Sequence, residues 1–131
     1  MTPRERALEL LELAREDELA AHVLVENLGI GDAIVGFHYQ QATEKLLKAL
    51  LADRDIDYPY THDLVRLLTL TEQAGYTVPI EPPKLARLTP FAAVLRYQTA
   101  PANVSLSRDE VRVLIQRLRE WVVQALGTER E

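Results

Sequence analysis

The chain has 131 residues, 47% of them hydrophobic and 27% charged, with five glycines, seven prolines and a formal net charge of -5. That balance belongs to one folded domain spanning residues 1–131, with a core of its own, and excludes a disordered chain or a generally sticky polyanion binder. There is no cysteine, which removes disulfides, thiolate metal sites and cysteine nucleophiles. No apolar run approaches the ~18 residues of a membrane span, and the N-terminus is charged from Arg4 onward, so the expectation is a cytoplasmic protein with no membrane contact.

Helix signals recur along the chain and strand signals do not, which predicts an all-α fold. Thr2-Pro3-Arg4-Glu5 reads as a capping box with proline at the first helical position, opening a helix over about 3–27 with Ala7, Leu10, Leu11 and Ala14 at helical spacing. Leu28-Gly29-Ile30-Gly31 breaks it, and a second helix follows over about 32–54, capped by Gly31 or Asp32 and ended by Asp55 to Pro59. Thr61 is the expected cap of a third helix carrying Leu64, Leu67, Leu68 and Leu70, closed by Gly75. Residues 76–83, with three prolines, read as a loop, and a shorter fourth helix is expected over 84–97, broken or kinked at Pro90. Ser107-Arg108-Asp109-Glu110 reads as a second capping box, opening a last helix that stops at Gly127.

The last helix carries its apolar arc at Val111, Ile115, Leu118, Val122 and Ala125, widened by Leu114 and Trp121. Beside that arc lie Arg108, Arg112, Gln116 and Arg119. Like charges four apart disfavour an isolated helix by a few tenths of a kcal/mol, so either acidic groups of the same chain pair with these arginines or they await an anion. The first alternative has a source, because residues 1–32 hold eight acidic and three basic side chains while residues 84–119 hold two acidic and seven basic ones.

The second helix bears the most informative pattern. Val35, Tyr39, Ala42, Leu46, Ala49 and Leu50 share one side, the mark of a core helix. Next to them His38, Gln41, Lys45 and Lys48 form a ridge at spacings of three, four and three. Two ammonium groups, an amide and an imidazole on one ridge suit a phosphate or an RNA backbone, provided they remain reachable. The plainer alternative is a surface ion pair between Glu44 and Lys48, at i and i+4, with Gln41 bonded to a neighbouring helix. His22, His38 and His62 are too dispersed for a metal motif, and no phosphate loop or nucleophile elbow is present; hence no metal, cofactor or catalytic residue is assigned.

The run from Phe37 to Leu51 (Phe-His-Tyr-Gln-Gln-Ala-Thr-Glu-Lys-Leu-Leu-Lys-Ala-Leu-Leu), then Tyr60-Thr61-His62-Asp63-Leu64 and later Arg96-Tyr97, resembles the HEPN domain family over roughly residues 5–125. The resemblance implies an up-and-down four-helix bundle with a short additional helix, commonly a homodimer. Such domains are often encoded beside a minimal nucleotidyltransferase in toxin–antitoxin-like pairs, and some bind nucleotides. On that resemblance Gln41, Glu44, Lys45, Lys48, His62, Asp63 and Arg96 are the matching positions; together with the ridge, the candidate ligand-binding residues, for nucleotide or RNA, are His38, Gln41, Glu44, Lys45, Lys48, His62 and Arg96. Ribonucleases of the wider superfamily carry an arginine followed after four to six residues by a histidine near the last helix. Here no histidine follows His62, the Arg15 and His22 pair lies in the acidic first helix, and Gln98 stands where proline is usual. The expected function is therefore a binding and interaction protein; a divergent ribonuclease using His38 or His62 with a residue such as Arg96, and a pure oligomerisation scaffold, are the alternatives.

Overall fold

A computed structural model describes residues 1–93 and 106–127. Among these the regular elements are α1 (Pro3–Val25), α2 (Asp32–Asp53), α3 (Leu64–Gln73), α4 (Pro82–Ala86), a 3₁₀ turn (Thr89–Ala93) and α5 (Arg108–Leu126). The architecture is the all-α, up-and-down four-helix bundle with a short additional helix. α2 is its axis: Val35, Tyr39, Ala42, Leu46, Ala49 and Leu50 are all buried, as the wheel predicts, and α1, α3, α5 and the 3₁₀ turn each contact it.

α1 meets α2 through small side chains. Ala7, Ala14 and Ala21 are buried at seven-residue intervals on α1, and Val35, Ala42 and Ala49 are buried at the same interval on α2. The Arg4–Asp53 ion pair and the contacts of Asp17 with His38 and Lys45 fix an antiparallel register in which these two small-residue stripes run past each other. A seven-residue repeat on both partners keeps one narrow seam facing inward, and the small side chains along it let the two backbones approach closely. α1 accordingly buries little else, and Leu19 and Val23 on its outer side are exposed.

The helix ends follow local chemistry, with corrections to the sequence reading. Thr2 caps α1 by accepting from Glu5 N–H at 3.0 Å. α3 is capped by Asp63, not Thr61. The Asp63 carboxylate accepts from Val65 N–H and Arg66 N–H, while Thr61 Oγ1 accepts from Asp63 N–H one step earlier; an ionised acceptor outcompetes a hydroxyl for the positive end of a helix. The expected fourth helix is shorter: α4 starts at Pro82, where proline fits the first turn, and ends at Ala86. The chain tightens into 3₁₀ geometry around Pro90, and the predicted stretch from 94 to 97 lies outside the described residues. Ser107 is the N-cap of α5 but makes no side-chain cap bond, so the predicted box does not close. Asp109 and Glu110 supply negative charge to that first turn instead. Leu126 fills the core position read as Ala125, since both follow Val122 at helical spacing and the larger apolar group takes the buried site; Ala125 is exposed. Gly127 ends the helix in the left-handed region, at φ 74°.

Two contacts lock the remaining pieces. Phe91 is buried against Gly36: a methyl group at position 36 would stand 2.5 Å from the ring, so glycine lets the 3₁₀ turn reach α2. Arg108, at the start of α5, reaches into the α1–α2 loop, donating to Val25 O at 2.9 Å, Asn27 O at 3.2 Å, Ile30 O and Asp32 Oδ1 at 2.8 Å. Its planar fork satisfies carbonyls that the end of α1 leaves open.

Candidate functional site

Inward-turning residues of α2 cannot all meet hydrocarbon, and those beside the core stripe build a polar cluster. Glu44 is only 5% exposed. Its Oε1 accepts from Gln40 Nε2 at 3.1 Å and lies 2.7 Å from His62 Nδ1, and its Oε2 accepts from Lys48 Nζ at 2.9 Å. Gln40 is fully buried, donates also to His62 O at 3.1 Å and accepts from Gln41 Nε2 at 2.7 Å. The segment between α2 and α3 is thus held on α2 by both the backbone and the ring of His62. Burial alone would push the Glu44 carboxyl up; the hydrogen bonds from His62, Lys48 and Gln40, with the charge of Lys48, outweigh it and hold Glu44 below the ordinary carboxylate value.

A second group lies on the α1 side. Lys45 is paired with Asp17 Oδ2, and His38 Nδ1 stands 3.8 Å from Asp17 Oδ1. His38 Nδ1 is buried without a hydrogen-bond partner. The ridge read from sequence therefore divides. His38 and Lys45 face Asp17 of α1, Lys48 faces Glu44 and His62, and Gln41 lies against Gln40. Neither lysine is a free cation, and their pairings with Asp17 and Glu44 leave the ridge with no excess charge. This corrects the expectation of an open cationic ridge, because α1 supplies a carboxylate that a wheel of α2 alone cannot contain. Arg96 lies outside the described residues. Gln40 and Asp17 are the members the sequence reading missed; Gln40 stands one turn before Glu44 on the same face, which is the signal that could have found it.

The outer edge of this cluster is aromatic. Tyr60 is 89% exposed and meets the His62 ring edge-on with centroids 5.6 Å apart. Lys48 Nζ lies 5.4 Å from the centre of the Tyr58 ring, whose hydroxyl accepts from Arg6 at 3.1 Å.

Three of the four arginines of α5, Arg108, Arg112 and Arg119, are internally paired. Arg119 donates to Glu18 at 2.7 Å and Arg112 to Asp109 at 3.3 Å, while Arg108 is held as described. Burial pushes the Glu18 carboxyl up despite Arg119, and it pushes the Tyr39 hydroxyl up to about 12. A hollow of about 750 Å³ lies elsewhere, between α4 and α5, and is lined in part by Lys84, Arg87, Leu88, Leu114 and Arg117. Among the described residues no group of three or more histidines and carboxylates is placed to hold a metal ion, and no helix is long and apolar enough to cross a membrane.

Against known proteins, one family model, described as HEPN domain, matches residues 5–125. The chain belongs to the HEPN domain family. No curated protein and no solved structure matches it.

Proposed function

We propose that this chain is a binding subunit: a homodimeric HEPN protein that engages nucleotide or RNA at the Glu44, His62, Lys48 edge of α2 and pairs with a minimal nucleotidyltransferase in a toxin–antitoxin-like system. The observation that carries binding over cleavage is the pairing of Lys45 with Asp17 and of Lys48 with Glu44. Phosphodiester cleavage needs positive charge directed at the developing phosphorane, and both lysines of the ridge are already committed. Exposed Leu19 and Val23 on α1 and Val113 on α5 support a further interface, as burying apolar surface favours association.

The test is titration calorimetry of the purified protein with nucleotides and short RNA, alongside long incubation with RNA. Heat of binding with intact RNA is the expected result; absence of any binding removes the nucleotide reading. Co-expression with a minimal nucleotidyltransferase should give a co-purifying complex. Light scattering should exceed the 14.9 kDa of one chain, and a monomer at every concentration would remove the dimer.

One observation favours a second reading, a ribonuclease. An imidazole oriented by a carboxylate, as His62 is by Glu44, is how general bases are commonly held. It requires RNA cleavage that His62→Ala abolishes.

A further inference from the structure

The cluster around Glu44 has a direction. An ionised carboxylate only accepts, so the Nδ1 of His62 that faces Glu44 carries the hydrogen, and in the neutral ring Nε2 is left as a bare acceptor. The His62 side chain is 37% exposed, and with Nδ1 turned inward the edge presented to solvent is the Nε2 edge. Gln40 holds the backbone of the same residue, so this orientation is built into the fold. Beside it stands Tyr60, the most exposed aromatic side chain among the described residues, packed only edge-on against His62. A ring held at its edge keeps a face free for stacking.

Charge decides what kind of group this edge suits. Lys45 with Asp17 and Lys48 with Glu44 cancel, so neither lysine of the ridge is left to draw a phosphate to Tyr60 and His62 or to gain from counterion release there. An aromatic face and a neutral acceptor instead match a planar, uncharged ring that carries an N–H or O–H donor.

We propose that Tyr60 and His62 dock the base of an unpaired nucleotide, Tyr60 by stacking and His62 Nε2 by accepting one hydrogen bond, with the phosphate left in solvent. The proposal rests on the nucleotide-binding reading and narrows it to the base.

The experiment is calorimetric titration of the full chain with the four ribonucleosides, their 5′-triphosphates, a trinucleotide and inorganic triphosphate, at low and high salt. At least one nucleoside should bind nearly as well as its triphosphate, with little salt dependence. Tyr60→Ala should weaken it by about tenfold or more, and Tyr60→Phe should keep it. Tyr60 is exposed, so its replacement leaves the fold intact; His62→Asn, checked by circular dichroism, provides the second arm and should weaken the same ligand. If nucleotides bind but inorganic triphosphate competes, salt weakens them steeply and Tyr60→Ala changes nothing, the proposal is overturned while the nucleotide reading stands. Loss of that binding in Arg117→Ala would then move the site to the hollow between α4 and α5. If Tyr60→Ala disrupts only a complex with a partner protein and no nucleoside binds wild type, the edge is a protein contact and the proposal falls. If nothing containing a nucleotide binds, the broader reading fails with it.

Discussion

Two carboxylates are withdrawn from water in this bundle, and their surroundings treat them in opposite ways. Glu44, between α2 and the start of α3, has three donors around it and is held below the ordinary carboxylate range; Glu18, between α1 and α5, has Arg119 and is pushed above it. Burial acts alike on both. The number of hydrogen bonds to the charged form decides the sign, so the Glu44 clasp favours the ionised folded state and the Glu18 pair does not.

The sharpest way to break that comparison is Glu44→Gln. It removes the charge that Lys48 and His62 face and should cost about 3 kcal/mol at neutral pH, read from urea midpoints. Its pH dependence has a fixed sign. The folded value of Glu44 is depressed, so its contribution is present above the unfolded carboxylate value of about 4.3 and is lost as pH falls through the lower folded value. The gap between wild type and Glu44→Gln should therefore close under strong acid; a gap independent of pH would show that the carboxylate acts by shape alone. Gly36→Ala gives an uncharged control. A methyl group 2.5 Å from the buried Phe91 ring should cost about 2 kcal/mol by overpacking, at every pH. A stabilised Gly36→Ala protein would mean that the 3₁₀ turn can give way.

Arg108→Lys keeps the charge near Asp32 but cannot reproduce a fork donating to three carbonyls, and should cost about 1–2 kcal/mol in the same titration. The smallest effect belongs to Glu18→Gln, within about 0.5 kcal/mol at neutral pH, because the amide escapes the cost of burying charge while Arg119 keeps access to water. Its folded value is raised, so the stability linked to its protonation is present below the unfolded value and lost as pH rises through the folded one. A loss as large as that of Glu44→Gln would erase the distinction between the two sites.

The contrast also explains what was legible in the amino-acid sequence. Regular spacing made α1, α2 and α5 readable, along with the core face of α2 and the glycine stop at Gly127, because those features depend on neighbours within one helix. The arginines of α5 and the acidic first segment could be matched as regions, though not residue by residue. Pairs that join different elements stayed hidden: Lys45 with Asp17, His62 with Glu44, Arg108 with the α1–α2 loop. Each depends on register, and register was latent in the seven-residue alanine spacing shared by α1 and α2. Had those two repeats been aligned, Asp17 would have fallen beside the stretch of α2 that carries His38, within reach of the long Lys45 side chain, and the ridge would have been read as neutralised. The cap of α3 was missed for a local reason, since Thr61 and Asp63 both offer oxygen atoms and only geometry decides which begins the helix.

The methyl-lined seam between α1 and α2 has a consequence for how this molecule can respond to whatever it meets. Alanine has no alternative rotamer, so the alanine positions of the seam cannot repack by swinging a side chain aside, which favours movement of the first two helices as one unit. Among the described residues, adjustment on docking then falls most readily on the short stretch that joins this hairpin to α3, where a few side-chain bonds around His62 would be exchanged.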